Sequence, residues 1–229
     1  MDWNWVPQYL PMLFHGLWLT LLLTVLSMCF GMIMAIPIAL AQVSGPPWLS
    51  WPAWAFCTFI RGTPLLIQMW FLYYGLGLMF PYIPGIRQSF MWPILREGFY
   101  FALVALTLSV AGYEGEVMRG AFLGVPKGEL EAARAIGMPP ITLLRRVWFP
   151  RAVRMVLPTL AGETVSQMQS TSLAATITVL ELMGVTNMIR QDTYRIYEPL
   201  LLAAAIYMVI TFIIVRTFNW IESKVPMKR

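Results

Sequence analysis

The sequence predicts an all-α integral membrane protein with five transmembrane helices, and three observations carry that reading. Of the 229 residues, 59% are hydrophobic and only 12% are charged, against roughly a quarter charged in soluble domains. From Trp3 to Ile60 there is no Asp, Glu, Lys or Arg, only His15. A bilayer-spanning helix needs about 20 mostly apolar residues, so that stretch is long enough for more than one. The basic residues sit in loops beside apolar runs. That pattern follows the positive-inside rule and explains the net charge of +5 better than nucleic-acid binding does.

The first apolar segment covers about 13–41 and ends at the breaker Ser44-Gly45-Pro46-Pro47. The N-terminus, Met1-Asp2-Trp3-Asn4-Trp5, is acidic and aromatic where a signal peptide would be basic, and the apolar run is too long for one. The second segment covers about 53–80 and is followed by Pro81, Pro84 and Gly85. The third covers about 99–118, the fourth about 153–183 and the fifth about 199–220. Trp48, Trp51, Trp54 and Trp92 flank these segments as interfacial aromatics do. No internal repeat or linker divides the chain, so a single transmembrane domain over 1–229 is expected. Cys29 and Cys57 fall inside apolar segments without ligand spacing and read as buried reduced thiols. His15 reads as an anchor of the first span, and no metal site is expected.

Five spans place the termini on opposite sides. The 119–154 connection carries Arg119, Lys127, Arg134, Arg145, Arg146, Arg151 and Arg154, and the tail carries Arg216, Lys224, Lys228 and Arg229. With Arg61, twelve basic residues fall on one side, against Arg87, Arg96, Arg190 and Arg195 on the other. That asymmetry puts the loop and the C-terminus in the cytoplasm and the N-terminus outside.

The loop at 120–150 is too amphipathic and too punctuated by Gly and Pro to be another span. Pro126-Lys127-Gly128 reads as a turn and 129–136 as a helix, which Gly137 and Pro139-Pro140 stop. Early acidic residues and a later Arg match the helix dipole. The alanines leave one side of the rod narrow, suited to a groove on a partner. A second short helix is expected from Ile141 to Trp148, leading into Pro150.

The residue order here resembles a known family. Glu131-Ala132-Ala133, three residues, Gly137, nine residues, Val147, one residue, Phe149-Pro150 is similar to the EAA loop of binding-protein-dependent ABC importers, with Val147 and Phe149 as conservative departures. Tyr113-x-x-Glu116-x-x-Arg119-Gly120, Val125-Pro126-x-Gly128, Arg61-Gly62-Thr63-Pro64-Leu65-Leu66-x-Gln68, Ser170-Thr171-Ser172-Leu173-Ala174 and Glu181-Leu182-Met183-Gly184 resemble its polar amino-acid branch. The similarity spans about 16–222 and is strongest to M-type permeases of histidine, arginine, ornithine and opine systems.

The resemblance implies a type I ABC importer fold whose loop between helices 3 and 4 forms a coupling helix, with Glu131, Ala132, Ala133 and Gly137 as its docking surface. It implies a non-enzymatic permease subunit of the bacterial inner membrane that translocates polar amino acids, cationic ones or opines included. The implied partners are two ABC ATPase subunits, a second permease (a heterodimer rather than a homodimer), a periplasmic substrate-binding protein and membrane lipid. The chain has no Gly-x-x-x-x-Gly-Lys-Ser/Thr loop, so ATP and Mg belong to the ATPase partners and no cofactor is expected in this chain.

For the substrate pathway, Glu163 reads as the one acidic residue well inside an apolar span. Such residues face the bundle interior or a wet cavity. Glu163, Gln167 and Ser170 recur at helical spacing, and a carboxylate suits an amino-acid ammonium. Two readings are open for Glu163: substrate contact, or a structural role through Arg154 or the permease interface. Arg61 likewise either snorkels to the cytoplasmic interface or takes part in gating. A gradient-driven transporter working through Glu163 would leave the loop spacing unexplained, and an intramembrane enzyme would need a convergent catalytic set.

Overall fold

A computed structural model describes residues 3–224; Met1, Asp2, Lys228 and Arg229, used above for the N-terminus and the charge asymmetry, lie outside the described residues. Among those described, every regular element is helical. Four helices are long and apolar enough to cross a membrane, or five when the pair 140–177 and 182–193, bent by 49°, counts as one broken span.

Helix α1 (Val6–Ser44) is the spine. Its 39 residues extend about 58 Å at 1.5 Å per residue, nearly twice the ~30 Å hydrocarbon thickness. It touches three successive cores. Trp5, Tyr9 and Leu13 pack near one end with Leu182, Val185 and Ile189. Leu23 joins Met69, Ala102, Leu106 and Ile177 at mid-height. Ala39 joins Met118, Phe122, Leu130 and Val156 at the other end. Its main partner is α5 (Gly98–Gly124). Gly31 permits the close crossing: a Cβ there would lie 2.3 Å from Val110 Cγ1.

The second span differs from the predicted 53–80. The chain folds first into α2 (Pro47–Gly62), breaks at Thr63-Pro64, and then crosses from Leu65 to Tyr82, beginning with α3 (Leu65–Trp70). Pro64 forces Thr63 into extended backbone. The Gln68 amide donates to the carbonyls of Ile60 and Thr63 at 2.9 and 3.0 Å, satisfying acceptors that the broken helix would orphan. A four-residue helix, α4 (Trp92–Leu95), precedes α5.

The connecting loop contains α6 (Lys127–Ala135) and α7 (Pro140–Leu143). Here the expected second short helix does not stop at Trp148. It widens into a π-type turn over Leu144–Trp148 and runs straight into α8 (Phe149–Ser170). The wider turn suits Pro150, which has no N–H to donate and whose ring would collide with the carbonyl four residues back.

The fourth span also departs from the predicted 153–183. After α8 a 3₁₀ stretch covers Thr171–Ile177, and Thr178 turns left-handed at φ +70°. The Val179 N–H returns to the Ala174 carbonyl at 3.2 Å, closing the helix, and α9 (Leu182–Thr193) leaves in a new direction. The last span is α10 (Tyr197–Lys224). One of the two thiols departs from expectation: Cys57 is buried, but Cys29 is exposed on the outer face of α1.

Candidate functional site

Two groups of predicted site residues lie in different places. The first is on the loop. Helix α6 buries Leu130 and Ala133 in the core shared by the ends of α1, α5 and α8. Glu131 and Ala132 are exposed, so Ala133 supports the loop from within instead of joining them on its surface. The helix ends in a Schellman turn. Gly137 adopts φ +76°, its N–H donates to the Arg134 carbonyl at 2.9 Å, and the Met138 N–H donates to the Ala133 carbonyl at 3.1 Å. A Cβ on Gly137 would meet nothing within 4 Å, so glycine serves the left-handed conformation there rather than a close contact inside this chain.

The loop is held firmly to the membrane helices. Arg151 Nε donates to Glu129 Oε2 at 2.8 Å, and Arg151 Nη2 donates to Glu129 Oε1, tying α6 to α8. Those guanidinium hydrogen bonds hold the Glu129 carboxyl below the usual carboxylate range. Trp148 Nε1 donates to the Phe122 carbonyl at 2.9 Å, and the two rings meet edge-on at 5.4 Å, tying the returning chain to α5. A push on α6 therefore reaches α1, α5 and α8 together.

Two prominent residues of this surface escape the motif. Ile136 and Ile141, on either side of the Gly137 turn, are 78% and 73% exposed. They are among the most exposed large aliphatic side chains, on a segment that is not a spanning helix. The signal was an isoleucine on each side of a helix stop, off the register of the buried Leu130, Ala133 and Leu143.

The second group lines a cavity of about 400 Å³ between α1, α2, α5 and α8, where Glu163, Gln167 and Ser170 meet Thr63, Ser109, Tyr113, Glu114 and Ser166. Gln167 is buried, and its amide donates to Ser27 Oγ at 2.9 Å and to the Leu106 carbonyl at 3.3 Å. It thus joins α8 to α1 and α5 as well as facing the cavity. Ser170 Oγ donates back to the Ser166 carbonyl. Arg154 precedes Glu163 by nine residues on one helix, about 13 Å along its axis, and the two form no ion pair among the described residues.

Glu163 is not alone as an intramembrane acid. Glu114 is 2% exposed and Glu181 is fully buried. Glu114 lies on the i, i+4 stripe Leu106, Val110, Glu114, Met118, Phe122, whose other members are all buried, so helical periodicity could have found it. Glu181 caps α9: its carboxylate accepts from the Met183 and Gly184 N–H groups at 2.9 and 2.8 Å, from Thr20 Oγ1 at 3.3 Å and from Tyr207 Oη at 3.2 Å.

Arg61, at the end of α2, does not itself line the cavity but lies beside it. It lies 3.8 Å from Glu116 and over the Tyr113 ring, while Arg119 reaches the same carboxylate at 2.9 Å.

Comparison with known proteins places these features in a family. The sequence pattern described as "binding-protein-dependent transport system inner membrane component" matches residues 27–226. The octopine transport system permease protein OccM of Rhizobium meliloti is 44% identical, covering 92% of this chain and 84% of that protein. The nopaline transport system permease protein NocM of Agrobacterium fabrum is 36% identical over 94% and 88%. The histidine/lysine/arginine/ornithine transport system permease protein HisM of Escherichia coli is 33% identical over 92% and 87%. Among solved structures, an amino acid ABC transporter superposes with a TM-score of 0.83 at 30% identity, covering 98% of this chain and 99% of that one. The MetNI methionine ABC transporter, inward facing, shares the fold with a TM-score of 0.79 at 19% identity, over 96% and 99%.

Proposed function

The chain belongs to the binding-protein-dependent transport system inner membrane components, and on that premise we propose that it is one permease half of an ATP-driven importer for cationic amino acids or opines. The observation that carries this reading is the build of the 127–143 loop. Glu131, Ala132, Ile136 and Ile141 face outward, while Leu130, Ala133 and Leu143 are locked into the core that clamps α1, α5 and α8.

In this reading α6 seats in a cleft of one of two ABC ATPase subunits, which bind ATP and Mg. Closure of the ATPases on ATP draws the loops of the two permeases together and biases the bundle between inward and outward access. Leu130 and the Glu129–Arg151 pair carry the movement into the spans. The loop and the C-terminus are cytoplasmic and the N-terminus is periplasmic, where a binding protein delivers substrate. A second, non-identical permease completes the translocation path, and the whole of this chain acts as one transmembrane domain. The cavity at Glu163, Gln167 and Ser170 is this chain's contribution to the path, and Arg61 with Glu116 sits where it can act as a gate. Relatives named for octopine, nopaline and basic amino acids support the substrate class.

The test is uptake of radiolabelled arginine and octopine into proteoliposomes that hold the complete complex and its binding protein. The reading requires accumulation that depends on ATP and is abolished by Ile136→Asp in an assembled complex. Uptake driven equally well by an ion gradient without ATP would overturn it.

A further inference from the structure

A second hollow, of about 620 Å³, lies between the end of α1, the length of α2 and the loop end of α5. It shares no lining residue with the cavity at Glu163. Trp51, Trp54, Thr58 and Arg61 recur at i, i+3, i+7 and i+10, so one face of α2 forms its long wall. At one end Arg61 and Arg119 both reach Glu116 Oε2, at 3.8 and 2.9 Å. The Glu116 side chain is 17% exposed, against 47% and 37% for the two arginines. The acid lies beneath and the cations open outward. No other ionisable side chain lines the hollow, so two cations over one acid leave a single positive charge uncompensated.

The depth of this charge in the membrane follows from α2. The helix has 16 residues and is not itself a spanning helix, since the crossing segment begins at Leu65. It carries three exposed indoles, Trp48, Trp51 and Trp54, and exposed tryptophans settle at the level of lipid headgroups. Basic hollows between membrane helices at that level take anionic headgroups. A guanidinium fork matches a phosphate with two parallel hydrogen bonds, which an ammonium does not.

We propose that this hollow binds the headgroup of an anionic phospholipid, with its phosphate bridging Arg61 and Arg119 and its acyl chains lying along the indoles of α2. The proposal needs only that the chain spans a membrane, and neither the substrate class nor the gate assigned above. A zwitterionic lipid brings its own ammonium and has no net charge to offer the surplus cation, so the site discriminates against it.

Phosphatidylglycerol and phosphatidylethanolamine with identical acyl chains are the probes. Their affinities for the purified, delipidated complete complex are read by native mass spectrometry for wild type, Arg61→Gln, Arg119→Gln and Thr58→Glu. Thr58 is exposed on the wall of the hollow and outside the Arg61–Glu116–Arg119 triad, so a glutamate there cancels the surplus charge without removing a guanidinium. Each variant is expected to weaken the tightest phosphatidylglycerol binding about tenfold, the scale of losing one charged hydrogen bond, and to leave phosphatidylethanolamine within about twofold. An equal loss for both lipids would mean that these residues only hold α2 against α5, and the proposal falls. Unchanged phosphatidylglycerol affinity in the variants would mean that the hollow is covered by the second permease or holds no lipid, and the proposal falls again. Displacement of the lipid by inorganic phosphate at matched ionic strength would place the anion in solution and overturn the lipid assignment. Should either arginine variant fail to assemble, Thr58→Glu, which leaves the triad in place, decides the matter alone.

Discussion

Glu129 on α6 and Arg151 on α8 form a two-pronged ion pair, with Arg151 Nε 2.8 Å from Glu129 Oε2 and Nη2 bonded to Oε1. The fork geometry of the guanidinium is what a lysine lacks. Helix α6 is thereby fastened to the first turn of a spanning segment by a contact that resists shear, not merely by apolar packing.

That pair should make the loop sensitive to acid. Because Arg151 lowers the Glu129 pKa, its contribution is fully present above the ordinary glutamate value of about 4.3 and is lost as pH falls below it through the lowered value. Hydrogen exchange across α6 should stay slow and flat from neutral pH to about 5, once corrected for intrinsic rates, and rise at lower pH. Arg151→Met should show fast exchange already at neutral pH and lose the acid step. An unchanged profile in that variant would refute the clamp.

Gly137 allows a separation of backbone strain from partner contact. Alanine at φ +76° costs about 1–2 kcal/mol and asparagine less, while no neighbour in this chain obstructs a larger side chain. Gly137→Ala and Gly137→Trp should therefore destabilise the isolated chain by similar amounts in thermal unfolding. ATP-driven uptake should fall further for Trp than for Ala, and the difference measures the ATPase contact. Equal uptake by the two variants would remove Gly137 from the docking surface.

Ile136 and Ile141 are exposed apolar side chains on a surface that water would otherwise cover. Ile136→Asp and Ile141→Asp should leave insertion and thermal stability unchanged. Each should weaken ATPase association by about tenfold or more, as loss of an interface anchor does. Co-purification of the ATPase at wild-type stoichiometry, with normal affinity in titration, would exclude them from the interface.

Glu181 ties three helices. Through its carboxylate it caps α9 and accepts hydrogen bonds from Thr20 on α1 and Tyr207 on α10. Glu181→Ala removes the cap and leaves buried donors unpaired, for a loss of about 2–4 kcal/mol. Tyr207→Phe removes one hydrogen bond and should cost about 1 kcal/mol. Thermal unfolding in detergent should rank Glu181→Ala well below Tyr207→Phe, and equal effects would contradict the network.

The number of apolar segments was legible in the sequence because hydropathy over about 20 residues depends on composition alone. A helix in the loop was legible too, from its acidic start and Gly137 stop, although it begins at Lys127, inside the expected Pro126-Lys127-Gly128 turn, and ends at Ala135. The order Glu131-Ala132-Ala133…Gly137 likewise identified the loop by spacing. None of these features needs a neighbour in space.

Tertiary packing decided the rest. The second span starts at Leu65 because Gln68 can reach back to Ile60 and Thr63. The fourth span breaks at Thr178 because a β-branched residue is held left-handed where Tyr73 Oη lies 3.2 Å from its hydroxyl. Ala133 turns inward because Leu130, Phe122 and Val156 form the core beneath it, although in sequence it is indistinguishable from Ala132. Glu114, rather than Glu163 alone, became the cavity's buried acid because α1 and α5 cross closely enough at Gly31 and Val110 to seal that stripe of α5. Local sequence specifies which segments are apolar enough to enter the membrane and where the loop motif lies. The facing of each polar side chain depends on contacts between residues far apart in the chain, and periodicity along one helix does not contain them.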